Sequence, residues 1–154
     1  MKGEQESIVK QVDNHTLMQE IRRLFNEGNK KSVTFVVKGV SMHPFLESGR
    51  DKVVLVPPRI PRVGDVVLAE IRKETYALHR VIKIEGDTYI MRGDGNPLWR
   101  KEHFIKENIV GIADAFIRKG KLVHTSSRKW RWYSALWKAA APLRRIILAI
   151  HRRI

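Results

Sequence analysis

The amino-acid sequence contains no cysteine. This absence excludes a disulfide framework, a cysteine-based zinc site and a cysteine nucleophile. The six histidines do not fall at spacings typical of metal ligands, and no H-E-x-x-H motif is present. The sequence therefore predicts neither a metal site nor a cofactor.

Long apolar runs are also missing. No stretch holds the roughly eighteen consecutive uncharged apolar residues that a membrane-spanning helix needs. The first residues, M-K-G-E-Q-E-S-I-V-K, lack the apolar core of a secretory signal peptide. Because a chain without cysteine suits a reducing compartment, we expect a cytoplasmic protein, either free or attached peripherally to the inner face of the cytoplasmic membrane.

Acidic residues are absent from the C-terminal part of the chain. Residues 118–154 hold eleven Lys and Arg and no Asp or Glu, whereas residues 1–117 carry a net charge of only +3 out of the total of +14. A tail of this kind indicates an anionic partner, which could be a phospholipid surface, a nucleic acid or an acidic protein.

What the sequence does contain is a β-rich central region. The chain has 154 residues and 43% hydrophobic residues, which suits one domain with a modest core. Apolar spacing predicts one helix over 16–27. Short runs rich in Val, Ile, Thr and Tyr predict strands near 33–38, 52–56, 65–72, 76–85, 87–92 and 109–117. The expected fold class is mainly β, a small coiled sheet or partly open barrel. We divide the chain into a helical lead-in (1–32), a β domain (33–120) and a basic tail (121–154).

The basic tail has the pattern of an amphipathic helix. Apolar and aromatic residues recur every three or four positions over 127–153, and Pro142 is expected to kink or divide the helix. Tryptophans among cations are typical of an interfacial membrane anchor. The candidate membrane or anion contacts are Trp130, Arg131, Trp132, Trp137, Lys138, Arg144 and Arg145. Packing on its own domain, docking to a partner and binding of single-stranded nucleic acid stay open.

One serine and one histidine are candidates for catalysis. A strand-like run at 33–37 leads into K-G-V-S-M-H-P, in which Ser41 stands between a glycine and a proline. A hydroxyl nucleophile needs a base within hydrogen-bond reach, and His79 lies in another strand-like run, Y-A-L-H-R-V-I. Ser41 could equally be a turn residue, and His43 is a second candidate base.

The residues around this pair resemble a known family. The segment G-V-S-M-H-P-F-L at 39–46 resembles the nucleophile motif of type I signal peptidases and the LexA-like self-cleaving repressors. In the same order, R-V-G-D-V-V (62–67), L-H-R-V-I (78–82) and R-G-D-G-N (92–96) resemble the family's strand entry, base segment and G-D-x-N turn. The resemblance covers about 33–117 and implies a fold of the signal-peptidase/LexA-like type.

The resemblance implies specific residue roles. Ser41 is the implied nucleophile, His79 the implied general base and Asp94 the implied acid that orients His79. Histidine at this position resembles the Ser-His branch rather than the lysine branch. The backbone N–H of Ser41 is an implied oxyanion donor, and the surrounding substrate and oxyanion segment comprises Gly39, Val40 and Met42.

The acidic member of the site stays open. Asp94 could simply form a turn in G-D-G-N-P. The Ser-His branch often has a further aspartate six residues later, where this chain has Arg100, and the nearest acid downstream is Glu102.

The implied function is that of a serine endopeptidase that cleaves an extended leader or signal-like peptide through an acyl-enzyme. Its partner would be a peptide or protein substrate, with an anionic membrane surface as a second partner. One alternative is a binding module for peptides or membranes that keeps the fold with a degenerate active site. Another is a LexA-like regulator associated with nucleic acid. The lack of a recognisable DNA-reading domain argues against this alternative, and so does histidine where that branch has lysine.

Overall fold

The computed structural model describes residues 14–28, 31–38, 42–140 and 143–153. Within these ranges the chain is mainly β, with one helix before the sheet and two after it. The helices are α1 (Asn14–Asn26), α2 (Arg128–Ala139) and α3 (Arg144–Arg153). The strands are β1 (Val33–Val36), β2 (Lys52–Val56), β3 (Val66–Arg72), β4 (Thr75–Glu85), β5 (Thr88–Arg92), β6 (Glu102–Ile105), β7 (Ile109–Arg118) and β8 (Lys121–His124).

The eight strands form one antiparallel sheet that does not close into a barrel. The strand order is β1-β2-β7-β3-β4-β5-β6, and β8 also pairs with β7. β7 is long enough to pair with β3 through its first half and with β8 through its second half, while β2 runs along its other edge. Gly111 allows β2 and β7 to approach, because a Cβ there would lie 2.6 Å from the Leu55 side chain.

The helix predicted over 16–27 is confirmed as α1. Its apolar face places Met18, Ile21 and Phe25 in a buried cluster with Leu55 and Leu68 of the sheet. Burial of several such side chains, at about 1.5–3 kcal/mol each, accounts for the docking of a helix this short.

Two strands were not predicted. β6 has a single buried residue, Phe104, among charged neighbours, so its sequence lacks a recognisable apolar face. β8 follows a tight turn at Lys119 and Gly120, both of which have positive φ. Residues 121–124 therefore extend the sheet, although the sequence had placed them with the basic tail.

The tail forms two helices rather than one. Ser127 caps α2 by accepting a hydrogen bond from the backbone N–H of Trp130. α2 ends at Ala139 and α3 begins at Arg144; Pro142, which was expected to divide the helix, lies outside the described residues. Across the described ranges, no helix is long and apolar enough to cross a membrane.

Candidate active site

His79 lies on a rigid part of the sheet. It is a residue of β4, directly opposite Val67 of β3, and only 6% of its surface is exposed. The periodicity of the strand places its side chain on the opposite face from that of Arg80. A histidine held in this way has little freedom to turn away from a partner.

A carboxylate fixes the orientation of the His79 ring. Nδ1 of His79 lies 2.9 Å from Oε2 of Glu102, the first residue of β6. Because a carboxylate only accepts hydrogen bonds, this contact places the proton on Nδ1 and leaves Nε2 as the basic nitrogen. Nε2 of His79 forms no hydrogen bond with any residue that the structure describes. The pair has the arrangement of a general base and its orienting acid.

His79 and Glu102 line an open groove of about 820 Å³. The wall of the groove includes Lys38 and Met42, the residues on either side of 39–41. Ser41, Gly39 and Val40 themselves lie outside the described residues. The two residues that flank the predicted nucleophile segment, Lys38 and Met42, therefore both lie at the groove that contains His79, the predicted base.

The segment that follows position 41 is well anchored. Met42, Phe45 and Leu46 are buried in a core cluster with Phe116 and Trp130. Met42, predicted as part of the substrate segment, is therefore mainly a core residue that also reaches the groove.

One edge of β4 is available for an extended ligand. β4 pairs with β3 over 75–80, whereas its pairing with β5 begins only at Arg80. Over 75–79 the edge away from β3 therefore has no strand partner in the described ranges, and Thr75–His79 all line the groove. An unpaired strand edge beside an open groove is the arrangement that accepts an added β-strand.

Asp94 is not the acid beside His79. Its carboxylate makes two hydrogen bonds of 2.8 Å with Arg80 and accepts a third, of 3.1 Å, from the hydroxyl of Tyr133. The structure therefore assigns the orienting position to Glu102, which the sequence offered only as the nearest acid downstream. The partner of each acid depends on which face of β4 it approaches, and motif spacing does not contain that information.

The Arg80–Asp94 pair lies under α2. The guanidinium of Arg80 stacks 4.6 Å from the ring of Trp130 and donates to Oγ of Ser134 at 2.6 Å. Trp137 donates from its indole to the backbone carbonyl of Asp94. Burial alone would lower the pKa of Arg80, but the Asp94 carboxylate outweighs burial and raises the pKa above its ordinary value. Through these contacts with Trp130, Ser134 and Trp137, the pair links the sheet to α2.

The tail residues predicted as membrane contacts divide into two groups. Trp130 and Trp137 are each only 5% exposed and pack against the domain, so they are unavailable to lipid in this fold. Their expected role is corrected: they hold α2 on the sheet. Trp132 is 67% exposed, and Arg131 and Lys138 are also exposed. Arg144 and Arg145 lie in α3, but their side chains are outside the described set.

One possible metal centre was missed by the sequence analysis. His43, Glu47 and His151 place one ligand atom each within 4.8 Å of one another. Glu47 and His151 are 104 positions apart, so local spacing could not have revealed the cluster.

Comparison with known proteins identifies no relative. The chain matches no protein-family model, and no curated protein matches it significantly. The functional interpretation therefore rests on the residues and their geometry.

Proposed function

We propose that this protein is a serine endopeptidase of the type I signal peptidase and LexA-like kind, acting through Ser41 and His79. The observation that carries the proposal is the His79–Glu102 hydrogen bond in a groove whose wall includes both neighbours of the 39–41 segment. A base, its orienting acid and a serine-bearing segment then share one site. The fold, a mainly β antiparallel sheet, is compatible with the family that the motifs resemble.

The proposed reaction proceeds through an acyl-enzyme. Nε2 of His79 takes the proton from the Ser41 hydroxyl as Oγ attacks the substrate carbonyl, and Glu102 stabilises the resulting imidazolium. The backbone N–H of Ser41 donates to the developing oxyanion. His79 then protonates the leaving amine, and a water molecule, deprotonated by the same imidazole, hydrolyses the ester.

The proposed substrate is an extended peptide. It adds to the free edge of β4 over 75–79, and backbone hydrogen bonds hold it past His79. Ile71, Ala77 and Leu78 provide apolar surface along this path. The family resemblance implies small side chains just before the scissile bond, as in leader or signal-like peptides.

A serine-directed phosphonate tests the proposal. Wild type, Ser41→Ala and His79→Ala are incubated with the reagent, and the modified residue is identified by intact mass and peptide mapping. We expect labelling at Ser41, none in Ser41→Ala, and a rate about 10²–10⁴-fold lower in His79→Ala. Ser126→Ala, which changes an exposed serine outside the groove, should label like wild type.

Two results would contradict the peptidase proposal. If folded wild-type protein is not labelled, the degenerate binding module becomes the better description. If labelling is equally fast in His79→Ala, the assigned base is wrong. Circular dichroism of each variant separates these results from simple misfolding.

A second proposed property is attachment to an anionic membrane surface. Large apolar side chains are exposed to solvent in α2 (Trp132 and Leu136), in α3 (Ile146 and Ile150) and at Leu143 just before α3. Residues 118–154 add eleven cations without one acid. Exposed apolar side chains in a segment rich in cations match a phospholipid surface, where each Lys or Arg contributes about 1 kcal/mol.

Vesicle co-sedimentation tests the attachment. Wild type should bind vesicles that contain anionic phospholipid and bind neutral vesicles much less. Trp132→Ser should weaken binding about 10-fold, which corresponds to losing the burial of one aromatic side chain. Trp99→Ser is the matched control, because Trp99 is 75% exposed but lies outside the tail. Equal losses in both variants, or binding that does not depend on lipid charge, would contradict the assignment.

A further inference from the structure

The C-terminal helix meets the turn that follows the 39–41 segment at three metal-ligand side chains. Nε2 of His151, in α3, lies 2.6 Å from Oε1 of Glu47. Nε2 of His43 lies 3.5 Å from the other oxygen of the same carboxylate. The two imidazole rings meet edge to face with their centroids 5.2 Å apart. Glu47 therefore stands between two histidines that come from distant parts of the chain.

His43 is not satisfied by this arrangement. Its Nε2 is buried and has no hydrogen-bond partner among the residues that the structure describes. A buried polar nitrogen without a partner is destabilising and rare in native structures. The 3.5 Å contact to Glu47 does not meet the requirements of a hydrogen bond, so the carboxylate does not supply one.

The same distances suit a shared cation. Two ligand atoms that each lie about 2.1 Å from a tetrahedral Zn²⁺ are about 3.4 Å apart. The 3.5 Å between His43 Nε2 and Glu47 already has this value. The 2.6 Å hydrogen bond from His151 would open by less than about 1 Å to reach it. Two histidines and one carboxylate form a ligand set that holds zinc with one position left for water.

We propose that His43, Glu47 and His151 bind one Zn²⁺ ion. The protein ligands are Nε2 of each neutral imidazole and the carboxylate of Glu47, whose two oxygens each face one histidine, and water completes the site. Any proton on His43 or His151 is released when the ion binds. The bound ion links α3 to the turn at 42–50, and this role does not depend on peptidase activity.

The first test is equilibrium binding of Zn²⁺ to tag-free, full-length protein, by competition with a chromophoric chelator. We expect one tight site per chain. Glu47→Gln and His151→Gln should each weaken binding at least 100-fold. His124→Gln changes an exposed histidine elsewhere and should bind like wild type. His79→Ala should also retain the site, because the His79–Glu102 pair does not belong to it.

The second test measures the effect of Zn²⁺ on α3. Zn²⁺ should slow backbone hydrogen–deuterium exchange in α3 of the wild type and have no effect on α3 in His151→Gln. Co²⁺ should give visible absorption typical of a tetrahedral N/O site in the wild type and not in Glu47→Gln.

Three outcomes would overturn the proposal. In the first, wild type does not bind Zn²⁺, and the cluster is only a hydrogen-bonded His–Glu pair. In the second, binding survives in both Glu47→Gln and His151→Gln. In the third, binding is lost in His79→Ala instead, which would move the site to the groove. Far-ultraviolet circular dichroism establishes that each variant is folded before its affinity is compared.

Discussion

His79 and Arg80 are neighbours on β4, yet each forms an acid–base pair of a different kind. His79 reaches Glu102 in an open groove, where Nε2 of its ring forms no hydrogen bond with any residue that the structure describes. Arg80 reaches Asp94 beneath α2, where the carboxylate raises the pKa of the buried guanidinium above its ordinary value. The strand thus separates a pair suited to proton transfer from a pair suited to holding the fold together.

This difference explains how motif spacing misplaced the acid. Asp94 occurs in a G-D-x-N turn that resembles the family's, and the resemblance implies that it assists the base. In this chain the arginine next to the histidine occupies both oxygens of Asp94. Glu102 then takes the position beside His79, eight residues further along the chain.

The largest effect is expected where the buried pair is broken. Asp94→Asn leaves the Arg80 guanidinium buried beneath α2 without its counter-charge. Removing one partner of a buried ion pair costs about 3–5 kcal/mol, so the free energy of unfolding should fall by that amount. Urea denaturation measures the change. A loss below about 1 kcal/mol would show that the pair is not the structural link described here.

A smaller effect is expected at the other pair. Glu102→Gln should destabilise the protein little, because Glu102 is partly open to the groove. It should, however, no longer hold the His79 proton on Nδ1, and acylation of Ser41 should therefore be about 100-fold slower or more. Nitrogen-15 NMR of the imidazole reports the tautomer directly. Glu107→Gln, an exposed glutamate in the turn before β7, is the matched control. An unchanged His79 spectrum in Glu102→Gln would contradict the assignment.

The smallest effect is expected at a third carboxylate, that of Asp51, which makes the free energy of unfolding depend on pH in the acid range. Asp51 accepts hydrogen bonds from Arg50 and from the backbone N–H groups of Glu47 and Lys119. Burial acts to raise the pKa of Asp51, but these donors outweigh it and lower the pKa to about 2. The group is more acidic in the folded state than in the unfolded state, so its stabilisation is present above about pH 4 and is lost as the pH falls towards 2.

Asp51→Asn should therefore lower stability by about 1–2 kcal/mol near pH 7 and have little effect near pH 2. Thermal unfolding of both proteins from pH 2 to pH 7 measures this convergence. Curves that stay parallel over the whole range would show that Asp51 is not the titrating group.

Much of the scaffold could be predicted from periodicity. The valine-rich run K-V-V-L-V and the long β4 run predicted their strands, and the spacing of Ile21 and Phe25 predicted α1. β6 could not be predicted, because it forms a strand by pairing with β5 and its own sequence has no apolar pattern.

The candidate site was only partly predictable. His79 could be identified from its motif, while the choice between Asp94 and Glu102 depended on sheet pairing. In the tail, helical spacing identified an aromatic stripe but not which side of it faces the protein. Trp130 packs against Phe45, Phe116 and Arg80, and Trp137 donates to the backbone carbonyl of Asp94. These partners are distant in sequence from the tail.

The most direct test of the central claim compares two rate constants. Acylation of Ser41 by the phosphonate is measured per folded molecule in Glu102→Gln and in Asp94→Asn at pH 7. We predict that Glu102→Gln reacts about 100-fold more slowly than wild type, and that Asp94→Asn stays within a few-fold of it. The reverse order, with Asp94→Asn the slower variant, would contradict the separation of a proposed catalytic pair from a structural pair on β4.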